Sequence, residues 1–267
     1  MSKPTVILLG SKPGAIVALQ LMLQSNWEVK AVVPSGSHSF ITGDTLKDFA
    51  QKQKLSVLTQ DELESEKVDL VISYMFRDKV TKTTLSLAKK AAVNFHAGPL
   101  PEYGGWAFYN LAILESASEY GCTCHHMDEG FDTGPLLKVN RFQIDPEKET
   151  AVSLEQKSQE EMILLFKEFM TMVEDCKELP KINQDPSRMR YLKKKDFEKL
   201  KRIPVDADQH TIQRIARAFF YPPYECAYID FENTRVEVIP EIVKWELAKQ
   251  LHKEDLISLR KVAGIIA

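Results

Sequence analysis

Apolar positions come in two rhythms along this chain. Val6-Ile7-Leu8-Leu9 runs without a polar break, so residues 4–9 predict a central strand covered on both faces. The turn Gly10-Ser11-Lys12-Pro13-Gly14 follows, then Ile16, Leu19, Leu21, Met22 and Leu23 fall on one side of a helix. Residues 28–33 read as a second strand, and a helix near 44–53 carries Leu46, Phe49 and Ala50 inward. A short third strand is expected at 55–58, a fourth at 69–74, a helix over 78–90 and a strand at 91–95. Strands alternating with helical spans of this length predict a mostly parallel sheet with right-handed crossovers. The first 95 residues therefore have a Rossmann-like layout, without the Gly-x-Gly-x-x-Gly fingerprint of dinucleotide sites.

Downstream, residues 106–116 look helical, 121–128 and 136–144 alternate as strands, and Leu154, Met162, Leu165, Phe166, Phe169, Met172 and Val173 mark a long helix over 150–175. A loop with Pro180 and Pro186 is expected next, then a helix around 208–220 and two strands, 226–231 and 234–239. The tail from 241 to 267 shows no single period. The fold class is α/β: a Rossmann-like, mostly parallel sheet with flanking helices over 1–176, and a small C-terminal α+β extension over 177–267.

Composition narrows the function classes. Apolar residues make up 44% of 267, enough for a substantial core, and the net charge of −3 excludes a polycation. The charge is uneven: residues 177–202 hold ten Lys/Arg against four Asp/Glu. No apolar run is long enough to span a bilayer, and the chain starts on a strand rather than a signal peptide. Cys122, Cys124, Cys176 and Cys226 form no Cys-x-x-Cys pair, and no His pair has zinc spacing, so no metal is expected and the compartment reads as a reducing cytoplasm. His125 and His126 are adjacent on a strand, face opposite sides, and read as structural or cleft-lining. The 10–14 turn suits either an anion at a helix N-terminus or a plain strand-to-helix turn.

Two segments carry chemistry. Asn94-Phe95-His96 closes a strand and leads into Leu100-Pro101-Glu102-Tyr103-Gly104-Gly105, and Asp128-Glu129-Gly130-Phe131-Asp132-Thr133-Gly134 follows later. Each alone is ordinary turn chemistry. Together they resemble the formyltransferases that use N10-formyltetrahydrofolate, whose Asn-x-His pair, Leu-Pro-x-Tyr-x-Gly and Gly-x-Asp-x-Gly loop match over 94–134 within a likeness covering roughly residues 4–175. The chain departs from the family at Ala97-Gly98-Pro99, where Pro-Ser often follows the histidine.

The resemblance implies a catalytic trio, Asn94, His96 and Asp132. Formyl transfer passes through a tetrahedral intermediate, so it needs a donor for the oxyanion, removal of a proton from the attacking amine, and return of one to the leaving nitrogen. Asn94 can donate without changing charge, and His96, two residues on, lies on the same side of an extended segment. An unperturbed imidazole is the common side chain that changes charge near neutrality, so a histidine at position 96 suits proton shuttling. Asp132 can hold the imidazole or accept the amine proton through water, and the sequence leaves open which of the two is the base. The resemblance also implies a folate site at Met75, Phe76, Arg77, Asp128 and Gly130, although Met75 and Phe76 also suit an ordinary core.

Within such a family the acceptor varies. Members acting on initiator methionyl-tRNA typically carry Arg in Tyr-Arg-Gly, where this chain has Gly104, and end in a fuller barrel than the two strands found after residue 225. The length resembles the sugar N-formyltransferases, which implies a nucleoside-diphosphate amino-deoxysugar as partner, a role in surface polysaccharide or lipopolysaccharide O-antigen biosynthesis, a homodimer, and neither nucleic acid nor membrane as partner. Tyr103, Gly105 and Trp106 would then line the sugar pocket, with Arg188, Lys193, Lys194 and Lys195 toward the pyrophosphate and Tyr191, Phe219, Phe220, Tyr221 and Tyr224 toward the base. A solvated basic face over a small apolar core fits the same residues, and a tRNA acceptor or a non-catalytic folate- or nucleotide-binding module are the other readings.

Overall fold

A computed structural model describes residues 3–36, 43–175, 178–190, 194–232 and 234–263. The apolar run becomes β1 (Thr5–Gly10), and Pro13 opens α1 (Pro13–Gln24), where its fixed φ suits a first helical turn. There follow β2 (Glu28–Pro34), α2 (Leu46–Lys52), β3 (Val68–Tyr74), α3 (Lys82–Ser86), β4 (Ala88–His96), α4 (Phe108–Leu114), β5 (Glu119–His126), β6 (Leu136–Gln143) and α5 (Ala151–Glu174). The six strands form one sheet in the order β2-β1-β3-β4-β5-β6. The first four run parallel, and β5 and β6 are antiparallel to their neighbours. The α/β class expected from the pattern is the one found.

Two compact units divide the chain. The first takes residues 1–108, 118–144 and 154–192, and its core is the sheet. Leu8, Leu9, Leu70, Ile72 and Phe95 are fully buried, and Phe95 packs on Phe166 and Phe169 of α5 with ring centroids 5.1 and 5.5 Å apart. Cys122 and Cys124 are buried free thiols; burial pushes Cys122 up to about 12. Because the chain leaves β1 outward to β2 and returns to β3 on the other side, the carboxyl ends of β1 and β3 form a switch point, where open α/β sheets place ligands.

The second unit takes residues 109–117, 145–153 and 193–267. It contains α6 (Lys194–Leu200), α7 (Gln209–Ala218), the hairpin β7 (Ala227–Phe231) and β8 (Thr234–Val238), and α8 (Glu241–Val262). Asp208 caps α7 through Thr211 N, Asn110 donates to the Ala218 carbonyl at 2.6 Å, and Phe219 packs on Phe197 at 5.1 Å. Among the described residues no helix is long and apolar enough to cross a membrane.

Five points of the sequence reading change. The strand at 55–58 is only a bridge: Val32 bonds to Ser56 and Leu58 before a capped 3₁₀ turn begins at Gln60. The helix over 78–90 shrinks to five residues, because Val68 pairs with Ala88 and draws the chain into β4 early. The basic stretch is not a continuous loop, since Lys194–Leu200 turns helical, and the unperiodic tail forms α8. Phe219, counted toward a base-stacking surface, is buried instead.

Candidate active site

Strand register builds the polar centre. Ser73 of β3 sits opposite Asn94 of β4, and Asn94 sits opposite His125 of β5, so three neighbouring strands place three polar side chains in one row. Ser73 Oγ donates to Asn94 Oδ1 at 2.7 Å. A hydroxyl could serve either end of the amide, but a carboxylate only accepts, so Nδ2 faces Asp132 and the oxygen is left to Ser73. Asn94 Nδ2 lies 3.0 Å from His125 Nε2 and 3.4 Å from Asp132 Oδ1.

Two loops complete the centre. After β4, Leu100 N donates to Thr123 Oγ1 at 2.9 Å, Thr123 Oγ1 donates to Gly98 O at 2.8 Å, and the Leu100–Pro101 peptide is cis. His96 Nε2 lies 2.7 Å from the Tyr103 carbonyl, and a Cβ at Gly98 would sit 2.9 Å from that nitrogen and 2.7 Å from that oxygen. Gly98 therefore lets the imidazole reach the loop. Gly105, at φ 78°, donates its N–H to Asp132 Oδ2 at 2.9 Å. Asp132 itself holds a left-handed φ of 56°, which brings its carboxylate back toward β4.

The protonation pattern follows from the partners. A carbonyl only accepts, so His96 Nε2 carries a proton for Tyr103 O, and His125 Nδ1 carries one for His126 O at 2.8 Å. The nitrogens left over, His96 Nδ1 and His125 Nε2, face Asp132 at 3.6 and 3.4 Å. With its proton on Nδ1, His125 leaves Nε2 to accept from Asn94 Nδ2. Burial pushes the Asp132 carboxyl up, but His96, the His125 hydrogen bond and charge, and the Gly105 N–H outweigh it and hold the carboxyl well below the usual range. Phe108 closes one side with its ring edge-on to His96 at 4.7 Å.

The sequence-derived site residues fall into three groups. Asn94, His96 and Asp132 converge, with Tyr103 and Gly105 supplying backbone partners. Met75 follows β3 at φ 53° with its carbonyl accepting from Ser11 Oγ at 2.6 Å, Phe76 packs against the core cluster of Ile7 and Val71, and Arg77 is exposed with its N–H on Ser35 Oγ at 3.0 Å. Asp128 Oδ1 accepts from Gly130 N at 2.9 Å and Thr133 Oγ1 at 2.6 Å, closing the later loop, and Trp106 is exposed. Lys195, Tyr221 and Tyr224 belong to the second unit, where the two tyrosine rings lie 5.8 Å apart. Tyr191, Lys193 and the Lys194 side chain lie outside the described residues. Arg188 pairs with Glu102. Sequence reasoning missed Ser73 and left His125 without a role; only strand register places them in the row. Among the described residues no group of three or more His, Cys, Asp or Glu is arranged to hold a metal ion.

Comparison with known proteins gives a consistent picture. The family model described as formyl transferase matches residues 6–168. A methionyl-tRNA formyltransferase of Wolbachia pipientis is 28% identical over 248 residues, 88% of this chain and 79% of its own length. A GDP-perosamine N-formyltransferase of Brucella melitensis is 30% identical over 174 residues, 65% of each chain. An N-formyltransferase from Helicobacter canadensis, solved with folinic acid and dTDP-3-aminofucose, shares the fold with a TM-score of 0.72 at 21% identity, over 86% of this chain and 85% of that one.

Proposed function

The chain belongs to the formyl transferase family, and on that ground we propose that it transfers a formyl group from N10-formyltetrahydrofolate to the amino group of a nucleotide-linked amino-deoxysugar. The observation that carries the chemistry is the convergence of Asn94, His96 and Asp132 in a buried centre with fixed donors. Asn94 Nδ2 is held by Ser73 for the charge that builds on the formyl oxygen. A proton leaving the attacking amine passes to the imidazole and carboxylate and returns from there to the leaving nitrogen. Folate supplies the activated formyl group; Met75, Phe76, Arg77, Asp128 and Gly130 would hold it. Their fit is mixed: the left-handed Met75 backbone and the self-closed 128–134 loop offer backbone groups, while the Phe76 ring is already partly used by the core.

Gly104 supports a sugar acceptor. A Cβ there would meet only Leu100 Cδ2 at 3.5 Å and Asp132 Cβ at 3.9 Å, so packing does not demand the glycine in place of the arginine of tRNA-acting members. The Brucella relative acts on GDP-perosamine by name, and the Helicobacter structure holds a dTDP amino sugar. Under this reading Tyr103, Gly105 and Trp106 face the sugar, and Tyr191, Lys194, Lys195, Tyr221 and Tyr224 serve the nucleotide. The enzyme would act as a cytoplasmic homodimer in O-antigen or other surface polysaccharide synthesis. A tRNA acceptor is the second reading, favoured by the longer match to the Wolbachia enzyme. Offering dTDP-, GDP- and UDP-linked amino sugars and charged initiator tRNA with the formyl donor, and following tetrahydrofolate release, decides between them. Turnover with tRNA alone would overturn the sugar assignment.

A further inference from the structure

The segment after α5 does more than connect. Ile182 and Leu136 exchange both backbone bonds, at 2.7 and 2.9 Å, and His126 Nε2 lies 2.9 Å from the Pro180 carbonyl. Gln184 then inserts its amide under the later site loop: Nε2 donates to the carbonyls of both Asp132 and Gly134, each at 2.7 Å. Two carbonyls can only accept, so the nitrogen end must face them. Further on, Arg188 pairs with Glu102 and the Arg190 guanidinium lies 5.1 Å over the Tyr103 ring. One segment therefore bears on the loop that carries Asp132 and on the loop whose Tyr103 carbonyl orients His96.

We infer that Gln184 is a positioning residue for Asp132, acting through the backbone carbonyls on either side of Thr133. Asp132 needs such a device because its left-handed φ of 56° is disfavoured for a residue with a Cβ. From inside, its carboxylate is held by Gly105 N and Asn94 Nδ2, and from outside its carbonyl is held by Gln184. The Oε1 atom of Gln184 is buried with no partner among the described residues. The acceptor end goes unpaired while both protons serve the turn, which costs stability. Without those protons the two carbonyls would turn toward water and the carboxylate would swing away from His96 and His125.

This inference rests on the catalytic reading of Asp132, and its test keeps the two apart. Gln184→Met preserves length without donors, and Gln184→Glu preserves shape but presents oxygens to the two carbonyls. Both are compared with Asp132→Asn in the full chain, by melting temperature, by kcat at saturating donor with the accepted amine, and by ¹⁵N resonances of His96 and His125 at fixed pH. The expected result is a kcat reduced by up to about 100-fold, as misplacement by an ångström produces, with both histidine resonances moved part of the way toward those of Asp132→Asn. A lowered melting temperature with unchanged kcat and unchanged histidine resonances would show a merely structural glutamine and overturn the inference. An active Asp132→Asn would instead overturn the catalytic reading. The resonances need no acceptor, so they test the positioning role even before the amine is known.

Discussion

The strand-end centre of the first unit and the aromatic, basic surface of the second hold their polar groups in opposite ways. In the first, Ser73, Asn94, His96, His125 and Asp132 bond to one another and to backbone carbonyls, and the Asp132 side chain is only 12% exposed. In the second, Tyr224 is 49% exposed, Phe231 65% and Trp245 62%, and Lys195 points to solvent. A satisfied buried network fixes one geometry before any ligand arrives, whereas exposed side chains keep their rotamer freedom until a partner orders them. The contrast separates the proposed chemistry, which is pre-organised, from the proposed acceptor surface, which is not.

Substitutions at the centre test that separation most severely. Asn94→Ala, His96→Ala and Asp132→Ala should each lower kcat by about 10²–10⁴-fold, the range for lost oxyanion donors and proton-transfer groups. Initial rates of tetrahydrofolate release at saturating donor measure this, and parental turnover in any of the three would remove that residue from the centre. His125→Phe comes next. It deprives Asn94 Nδ2 of the nearer of its two acceptors and Asp132 of a neighbour, so kcat should fall by up to about 100-fold, while His125 as mere filling would leave it unchanged.

Tyr224→Ala belongs to the other side of the comparison. If the tyrosine stacks on a base, acceptor KM rises about tenfold, near the low end of a 1–3 kcal/mol contact, and kcat holds. A fall in kcat with constant KM would blur the two regions into one. The smallest effect concerns pH. The folded carboxyl of Asp132 lies below its unfolded value of about 3.9, so its ionised form contributes stability above that pH and loses it as pH falls through the depressed value. In denaturant titrations the stability gap between the parent and Asp132→Asn should persist down to about pH 4 and close only in stronger acid. A gap that stays constant from neutral pH into strong acid would mean a carboxyl with no shift on folding.

The same contrast explains what was legible in the sequence. The buried strands announced themselves through unbroken apolar runs such as Val6–Leu9, and the two motif loops through residue types that chemistry rarely combines by chance. His125 was visible but mute: its link to Asn94 depends on β4 and β5 pairing in one register, which a strand's own residues do not state. Gln184 was hidden in a segment whose prolines read as a loop, because its partners are backbone carbonyls about fifty residues away and carry no side-chain signature. The helix expected over 78–90 failed where tertiary pairing of Ala88 with Val68 overrode local periodicity. The unperiodic tail became a helix that, in the described residues, shows a largely exposed surface, so no apolar stripe was available to reveal it.

The central claim is that Asn94, His96 and Asp132 surround one reactive carbonyl. A crystal structure of this chain with folinic acid tests it most directly. The account predicts the formyl oxygen about 3 Å from Asn94 Nδ2 or from a nitrogen of His96, with Asp132 still facing the imidazole. A formyl group bound away from this cluster, or an Asp132 carboxylate turned out to solvent in the complex, would contradict it.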